Sequence, residues 1–206
     1  RLLKERRDEH WSMSELVGVL CNRRYTEQSV GYVESHDQAL VGDQTLAWRL
    51  MGTEMYDNMS SLQAASPVVA RGCAMHCMIR ALTAAIGGDA WLGFMGNEFG
   101  HPEWLDFPRE GNGWSHSYCR RQWSLADAGH LRYGQLAAFE RALWALEDQH
   151  SFLAAAHQIA HADDERQVLV AERGPLVWVF NFSPTNTYEG LKIGAGEGGR
   201  YRVALD

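Results

Sequence analysis

The apolar positions in the first 150 residues follow two spacings, one typical of strands and one typical of helices. Two short β-branched or aromatic runs, at 30–34 and 90–95, are bounded by polar residues or glycine and predict strands. Apolar residues recur three or four positions apart in longer segments, which predict helices at 12–21, 45–58, 66–87 and 131–149. Strands that alternate with helices are typical of a parallel sheet.

The pattern changes after residue 150 to short strand-like runs at 167–171, 176–182, 188–193 and 200–205. Gly-Pro, Ser-Pro and Gly-rich turns separate these runs, as in an antiparallel β domain. We therefore expect an α/β region at 1–150, the end of a parallel barrel, joined near 150–164 to an antiparallel all-β region at 151–206. A complete (β/α)8 barrel needs about 250 residues, and the first residue is Arg1, so we expect the chain to be part of a longer protein.

Polar side chains follow directly after each of the two predicted parallel strands. His36 and Asp37 come after the first strand, and Asn97 and Glu98 come after the second. Catalytic side chains of barrels and open α/β sheets project from the carboxyl ends of strands. The second pair opens a long loop at 96–124, rich in Gly, Trp and charged residues, and long loops within compact domains are usually functional.

Two long motifs resemble one enzyme family. The strings YVESHDQALVGD at 32–43 and FMGNEFGHPEWLDFP at 94–108 are similar to motifs of the α-glucan branching enzymes, within the α-amylase superfamily of glycoside hydrolases. Shorter matches are NRRY at 22–25, EMYDNMS at 54–60 and RRQWSL at 120–125. The resemblance runs from about Leu2 to the end of the chain, so it implies that 1–150 holds the last two strand-helix units of a (β/α)8 barrel and 151–206 the first strands of a C-terminal β-sandwich.

The resemblance also implies a reaction and a role for each catalytic residue. These enzymes cleave an α-1,4 glucan chain and rejoin it through an α-1,6 bond, and the configuration at the anomeric carbon is retained. A reaction of this kind requires a carboxylate nucleophile and a carboxylic acid. The family's nucleophile and acid lie on earlier barrel strands, in motifs that this chain lacks. Asp37 matches the third acidic residue, which stabilises the transition state, and His36 matches a histidine that hydrogen-bonds the same sugar ring.

Other residues near the two strand ends are candidates for substrate binding or for structural support. Asn97 and Glu98 are expected either to bind a substrate hydroxyl or to hold the loop, and Glu34 either to support His36 or to be a buried carboxylate. Flat aromatic faces suit sugar rings but also fill loop cores. Three tryptophans in or beside the loop offer such faces: Trp104, Trp114 and Trp123.

Composition favours a neutral polymer as the partner. The formal net charge is -7, so a surface that seeks phosphate is not expected, and neither is binding to nucleic acid. The resemblance implies that this polymer is an α-glucan such as glycogen, amylose or amylopectin, and the complete protein is expected to be a monomer. Cys73, His76 and Cys77 have helical spacing, but Arg80 shares their face, so we expect neither a metal nor another cofactor.

The location is expected to be the cytoplasm, with a plastid as the alternative, because the four cysteines form no C-x-x-C pattern and the chain shows neither a leader nor a membrane span.

Two other functions stay open at this stage. One is a different α-amylase-type hydrolase or debranching enzyme. The other is a non-catalytic glucan-binding protein, because the two upstream carboxylates are absent from this chain.

Overall fold

The computed structural model describes residues 2–24, 26–37, 44–103 and 105–206, with the side chains of Leu2 and Leu3 excepted. The helices within these ranges are α1 (Leu2–Glu5), α2 (Met13–Leu20), α3 (Leu46–Met51), α4 (Glu54–Asp57), α5 (Pro67–Ile86), α6 (Ser124–Asp127) and α7 (Tyr133–His150). None of these helices combines the length and the hydrophobicity needed to cross a membrane.

Five strands form two sheets in the described residues. The strands are β1 (Val30–Gly31), β2 (Ala90–Trp91), β3 (His157–Asp163), β4 (Val168–Arg173) and β5 (Leu176–Asn181). The first two pair in parallel, with Val30 opposite Ala90. The last three form an antiparallel sheet with β4 in the centre. The predicted parallel pair is therefore confirmed, although each strand is shorter than the apolar run that predicted it.

Two helices begin where local sequence signals predict. The Ser12 hydroxyl accepts a hydrogen bond from the Glu15 N–H at the start of α2, and the Ser66 hydroxyl accepts one from the Val69 N–H at the start of α5. Pro67 occupies the first position of α5, where its missing N–H costs nothing. The predictions for 12–21 and 66–87 are confirmed because their signals are local.

The predicted helix at 45–58 is in fact two helices, α3 and α4. Thr45 caps α3, but Gly52 then adopts a φ of 56°, a left-handed conformation that ends the helix. The apolar spacing that suggested one helix still reports burial correctly. Its four members pack into one core: Ala47, Met51, Met55 and Met59.

The chain divides into two compact units, each with its own core. The sheet unit comprises Arg1–Gly31, Ala81–Trp91 and Leu143–Asp206, and the loop unit comprises Tyr32–Arg80 and Leu92–Ala142. In the loop unit, Phe99 and Tyr133 join the core that the residues of α3 and α4 form.

The core of the sheet unit is built on β4. Val168, Leu169, Val170 and Ala171 are all buried, so the central strand reads as a continuous apolar run. Aromatic rings surround it: the Trp11 and Phe182 centroids lie 5.9 Å apart and those of Phe152 and Trp178 lie 5.1 Å apart.

Arg173, the last residue of β4, is buried and stabilises the end of α5. Its guanidinium donates to five backbone carbonyl oxygens, those of Ala84, Ala85, Gly88, Leu153 and Ala155. The last carbonyls of a helix have no partner within the helix. Because burial keeps water away from these carbonyls, Arg173 supplies the hydrogen-bond donors that they would otherwise lack.

After residue 150, one strand was not predicted and two predicted strands are wrong. Strand β3 lies within 150–164, where we expected the boundary, and its Asp163 pairs with Val168 of β4; the position of the boundary stays a prediction. The segments 188–193 and 200–205 form no strand. Side chains of these segments make hydrogen bonds of the kind found in loops: the Tyr188 hydroxyl donates to the Arg166 carbonyl, and the Tyr201 hydroxyl donates to the Glu197 carbonyl. A strand forms only where a neighbour pairs with its backbone, and apolar content alone does not provide one.

We predict that Arg173→Met lowers the free energy of opening of β4 and the end of α5 by about 3 kcal/mol or more, because several buried carbonyls lose their donors. Arg173→Lys should be intermediate, since one ammonium cannot reach five carbonyls. Hydrogen exchange of the complete protein, read by mass spectrometry in peptides from these two elements, measures the effect. Arg166→Met, a change at an exposed arginine of the same sheet, is the control. Equal protection in the Arg173→Met and control variants would contradict the prediction.

Candidate functional site

His36 and Asp37 lie side by side and face solvent. The His36 Nε2 is 3.1 Å from the Asp37 Oδ1, and the two side chains are 62% and 77% exposed. The Asp37 N–H donates to the hydroxyl of Ser35, which is buried and fixes the backbone beneath the pair. An imidazole and a carboxylate are therefore held together where both can reach a ligand.

Glu34 lies beneath this pair and joins three segments of the loop unit. One carboxylate oxygen accepts from the Leu46 N–H at the start of α3, and the other accepts from the side-chain amide of Asn97. Burial raises the pKa of Glu34, and the Leu46 N–H and the guanidinium of Arg121 oppose that rise. These bonds tie the segment of Glu34 to the start of α3 and to Asn97, and support of His36 by Glu34 stays a prediction.

Asn97 and Glu98 are both committed to bonds within the protein. The Asn97 side chain is buried and donates to Glu34, while its Oδ1 has no hydrogen-bond partner among the described residues. The Glu98 carboxylate accepts from the N–H of Gly96 at 2.7 Å. The structure thus brings Asn97 close to the segment of His36, as expected for residues after neighbouring parallel strands. Substrate binding by Asn97 and Glu98 stays a prediction.

The ring of Phe94 lies near both His36 and Arg121. Its ring centroid lies 6.3 Å from that of His36, with 57° between the ring planes. On the same ring, the guanidinium carbon of Arg121 lies 5.2 Å from the centroid, within the range of a cation–π interaction. Sequence reasoning missed Arg121 as a site residue, although it lies within the RRQWSL motif, because no spacing links it to Phe94.

His101 is buried in the same loop and is neutral. Its Nε2 accepts from the Gln122 N–H, and its Nδ1 lies 3.0 Å from the Glu103 carbonyl oxygen, 3.3 Å from the Glu103 backbone nitrogen and 3.2 Å from the Arg121 Nη1. Burial, together with the nearby guanidinium of Arg121, lowers the pKa of His101 to about 4, although a hydrogen bond with the Glu103 backbone opposes the shift. The imidazole therefore supports the loop rather than carrying charge.

The candidate aromatic residues have different outcomes. Trp104 lies outside the described residues, as do Gly42 and Asp43. Trp114 is 67% exposed, and Trp123 is half exposed with its ring 5.4 Å from that of Phe99. Both described tryptophans present a face to solvent, which a sugar ring could stack on.

His76 of α5 is buried, and Cys73 and Cys77 beside it are half-buried. Burial lowers the pKa of His76 to about 3 and raises the pKa of Cys77 to about 12, so the thiol stays protonated. Across residues 2–24, 26–37, 44–103 and 105–206, no group of three or more His, Cys, Asp or Glu side chains is arranged to hold a metal ion.

A family model and several curated proteins match this sequence. Residues 159–206 match the model described as "Alpha amylase, C-terminal all-beta domain". A 1,4-alpha-glucan-branching enzyme of Solanum tuberosum is 59% identical over 99% of this chain and 24% of its own length. The rice enzyme, named chloroplastic/amyloplastic, is 58% identical over 99% of this chain and 25% of its own length. A fungal one from Rhizophagus irregularis is 48% identical over 100% of this chain and 30% of its own. The chain spans about a quarter of the length of the potato and rice relatives.

We predict that acid weakens the loop unit between pH 6.5 and about 4 because of His101 and His76. The folded pKa of His101 is about 4 against an ordinary value of 6.5, so the unfolded chain binds more protons in this window and stability falls as the pH falls. His101 accounts for up to about 3 kcal/mol of the loss in the free energy of unfolding across this window. Thermal midpoints of the complete protein at several pH values measure the slope.

His101→Asn removes the titrating group and keeps an amide that can donate to the Glu103 carbonyl. The midpoint of this variant should depend less on pH in the window than that of the unmodified protein. His116→Asn, a change at an exposed histidine of the same loop, is the matched control. An unchanged slope in His101→Asn, or an equal reduction in both variants, would show that His101 is not responsible.

Proposed function

We propose that the complete protein branches α-glucans, because this chain belongs to the 1,4-alpha-glucan-branching enzyme family. The identity of 45–59% to relatives, over nearly the whole chain, confirms the resemblance that the motifs indicated. The proposed reaction cleaves an α-1,4 bond and transfers the chain to form an α-1,6 branch, by a retaining double displacement. The observation that carries the proposal is the exposed His36–Asp37 pair at the end of the segment that follows β1.

Asp37 is proposed to stabilise the transition state of both steps. The anomeric carbon gains positive charge as the glycosidic bond breaks, and a carboxylate that holds the flattened sugar by its hydroxyls binds that state more tightly than the ground state. His36, 3.1 Å from Asp37, orients the carboxylate and donates to the same ring. The nucleophile and the acid come from other parts of the complete protein.

The proposed architecture is the end of a barrel followed by the start of a β-sandwich. The parallel pair β1–β2, with α5 between the strands in sequence, supports two strand-helix units of a (β/α)8 barrel in 1–150. The antiparallel sheet β3–β4–β5 and the family match at 159–206 support the all-β region in 151–206.

The proposed partner is an α-glucan such as glycogen, amylose or amylopectin. The net charge of -7 suits a neutral polymer better than an anionic one, and the exposed faces of Trp114 and Trp123 suit pyranose rings. The proposed location is the cytoplasm or a plastid, and the names of the rice and pea relatives, which are chloroplastic/amyloplastic, favour the plastid. The proposed working state is a monomer.

We predict that Asp37→Asn in the complete enzyme lowers turnover about a hundredfold or more, by analogy with the loss of single electrostatic stabilisers. Glucan affinity should change far less, because the amide keeps the shape and part of the hydrogen bonding. Branching rate and glucan affinity are measured together, with folding checked by circular dichroism. Asp127→Asn, at an exposed aspartate of the loop unit, is the matched control. Normal turnover of a folded Asp37→Asn enzyme would remove Asp37 from the site.

His36→Ala should lower turnover less than Asp37→Asn does. The change deletes one hydrogen bond to a charged group, worth about 1.5–3 kcal/mol, and leaves the carboxylate in place. The same two assays test it. A loss larger than that of Asp37→Asn would mean that the histidine, and not the carboxylate, is the principal stabiliser.

We also predict that the 206-residue chain on its own has no branching activity. Its side chains can stabilise a transition state but cannot attack the anomeric carbon or protonate the leaving oxygen. The measurement is the iodine-stain absorbance of amylose incubated with the purified chain, with the complete enzyme as the positive control. A fall in absorbance with the chain alone would show that it contains its own nucleophile and acid.

A further inference from the structure

We propose that Arg121 is a positioning residue that sets the orientation of His36 through the ring of Phe94. The inference rests on the proposed function, since it concerns the histidine of the same site. Arg121 touches neither His36 nor Asp37 by hydrogen bond, so its effect on the reaction passes through the aromatic ring.

Arg121 is held rigidly by the backbone around it. It is only 7% exposed, and its Nε donates to the Met95 carbonyl at 2.7 Å while its Nη1 donates to the Glu103 carbonyl at 2.8 Å. Two bonds from one planar group fix both its position and its tilt. Burial of a charge is costly, and the carboxylates of Glu34 and Glu98 attract the guanidinium and keep it charged.

The chain leaves space for this guanidinium at Gly96. A Cβ atom at that position would lie 2.7 Å from the Arg121 Nε and 3.0 Å from its Cδ, closer than such atoms approach. The backbone between Phe94 and Asn97 can therefore run past the arginine only without a side chain. The loop is shaped around Arg121, which a role as a surface cation would not require.

The fixed guanidinium in turn fixes Phe94. Its carbon lies 5.2 Å from the ring centroid, where the negative face of the ring attracts a cation, and the attraction is stronger in a desolvated site. The same ring lies 6.3 Å from the ring of His36 at an angle of 57°. The His36 side chain is otherwise exposed, so Phe94 is the one aromatic ring, among those described, that limits its rotation.

The test is a double-mutant cycle in the complete enzyme with Arg121→Met and His36→Ala. Methionine keeps much of the bulk of arginine but has neither charge nor donors. Arg121→Met alone should lower kcat about three- to tenfold with little change in KM, since the cation–π restraint on Phe94 is lost. In the His36→Ala background it should lower kcat no further, because the ring that it positions is gone. Arg120→Met, at the exposed neighbouring arginine, is the matched control and should leave kcat unchanged.

A merely structural role predicts a different result. If Arg121 only stabilised the loop, its loss would lower kcat by the same factor with or without His36, and that outcome would overturn the inference while leaving the proposed function intact. Absence of branching by the unmodified complete enzyme would instead refute the proposed function.

A crystal structure of the Arg121→Met enzyme supplies a readout that does not depend on activity. The rings of Phe94 and His36 should be displaced or adopt more than one orientation, and unchanged rings would overturn the inference. Should Arg121→Met not fold, Phe94→Leu tests the same link with Arg121 left in place. Phe94→Leu should lower kcat by about the same factor as Arg121→Met. It should have this effect only when His36 is present.

Discussion

Backbone carbonyls that lie outside regular helix and sheet bonding need other donors, and in both units of this chain buried arginines provide them. Arg173 donates to five carbonyls in the sheet unit, and Arg121 donates to two in the loop unit. Each guanidinium has several N–H donors in one planar group, so it can bond carbonyls of separate segments at the same time. The end of α5 and the loop around His101 depend on these two side chains.

The sequence was sufficient to predict features whose signals are local. Serine caps and Pro67 fixed the starts of α2 and α5, and the carboxyl ends of two short apolar runs led to His36 and Asn97. The motif around His36 was specific enough to indicate a resemblance to the α-glucan branching enzymes. The structure adds that His36 and Asp37 are adjacent and exposed, whereas their roles in the reaction stay predictions.

Features that depend on distant partners escaped prediction. No spacing relates Arg121 to Phe94, or Glu34 to Asn97 across 63 positions, because folding alone brings those pairs together. Apolar content misled in two ways. It suggested one helix over α3 and α4, where Gly52 imposes a break, and it suggested strands at 188–193 and 200–205, where no neighbouring strand pairs with the backbone. In the first case the apolar spacing still predicted burial correctly, whereas the residues of 188–193 and 200–205 are mostly exposed.

The contact of Arg173 with the end of α5 also sets an order for the nascent chain on the ribosome. Arg173 follows Ala84 by 89 positions, so at about 5–20 residues per second the carbonyls of α5 wait roughly 4–18 seconds for their donor. During that interval water must solvate them, and the last turn of α5 cannot be buried in its final form. The ribosome has added every residue of the loop unit to the chain before it adds Arg173. The loop unit can therefore begin to pack during translation, whereas the sheet unit must wait for β4.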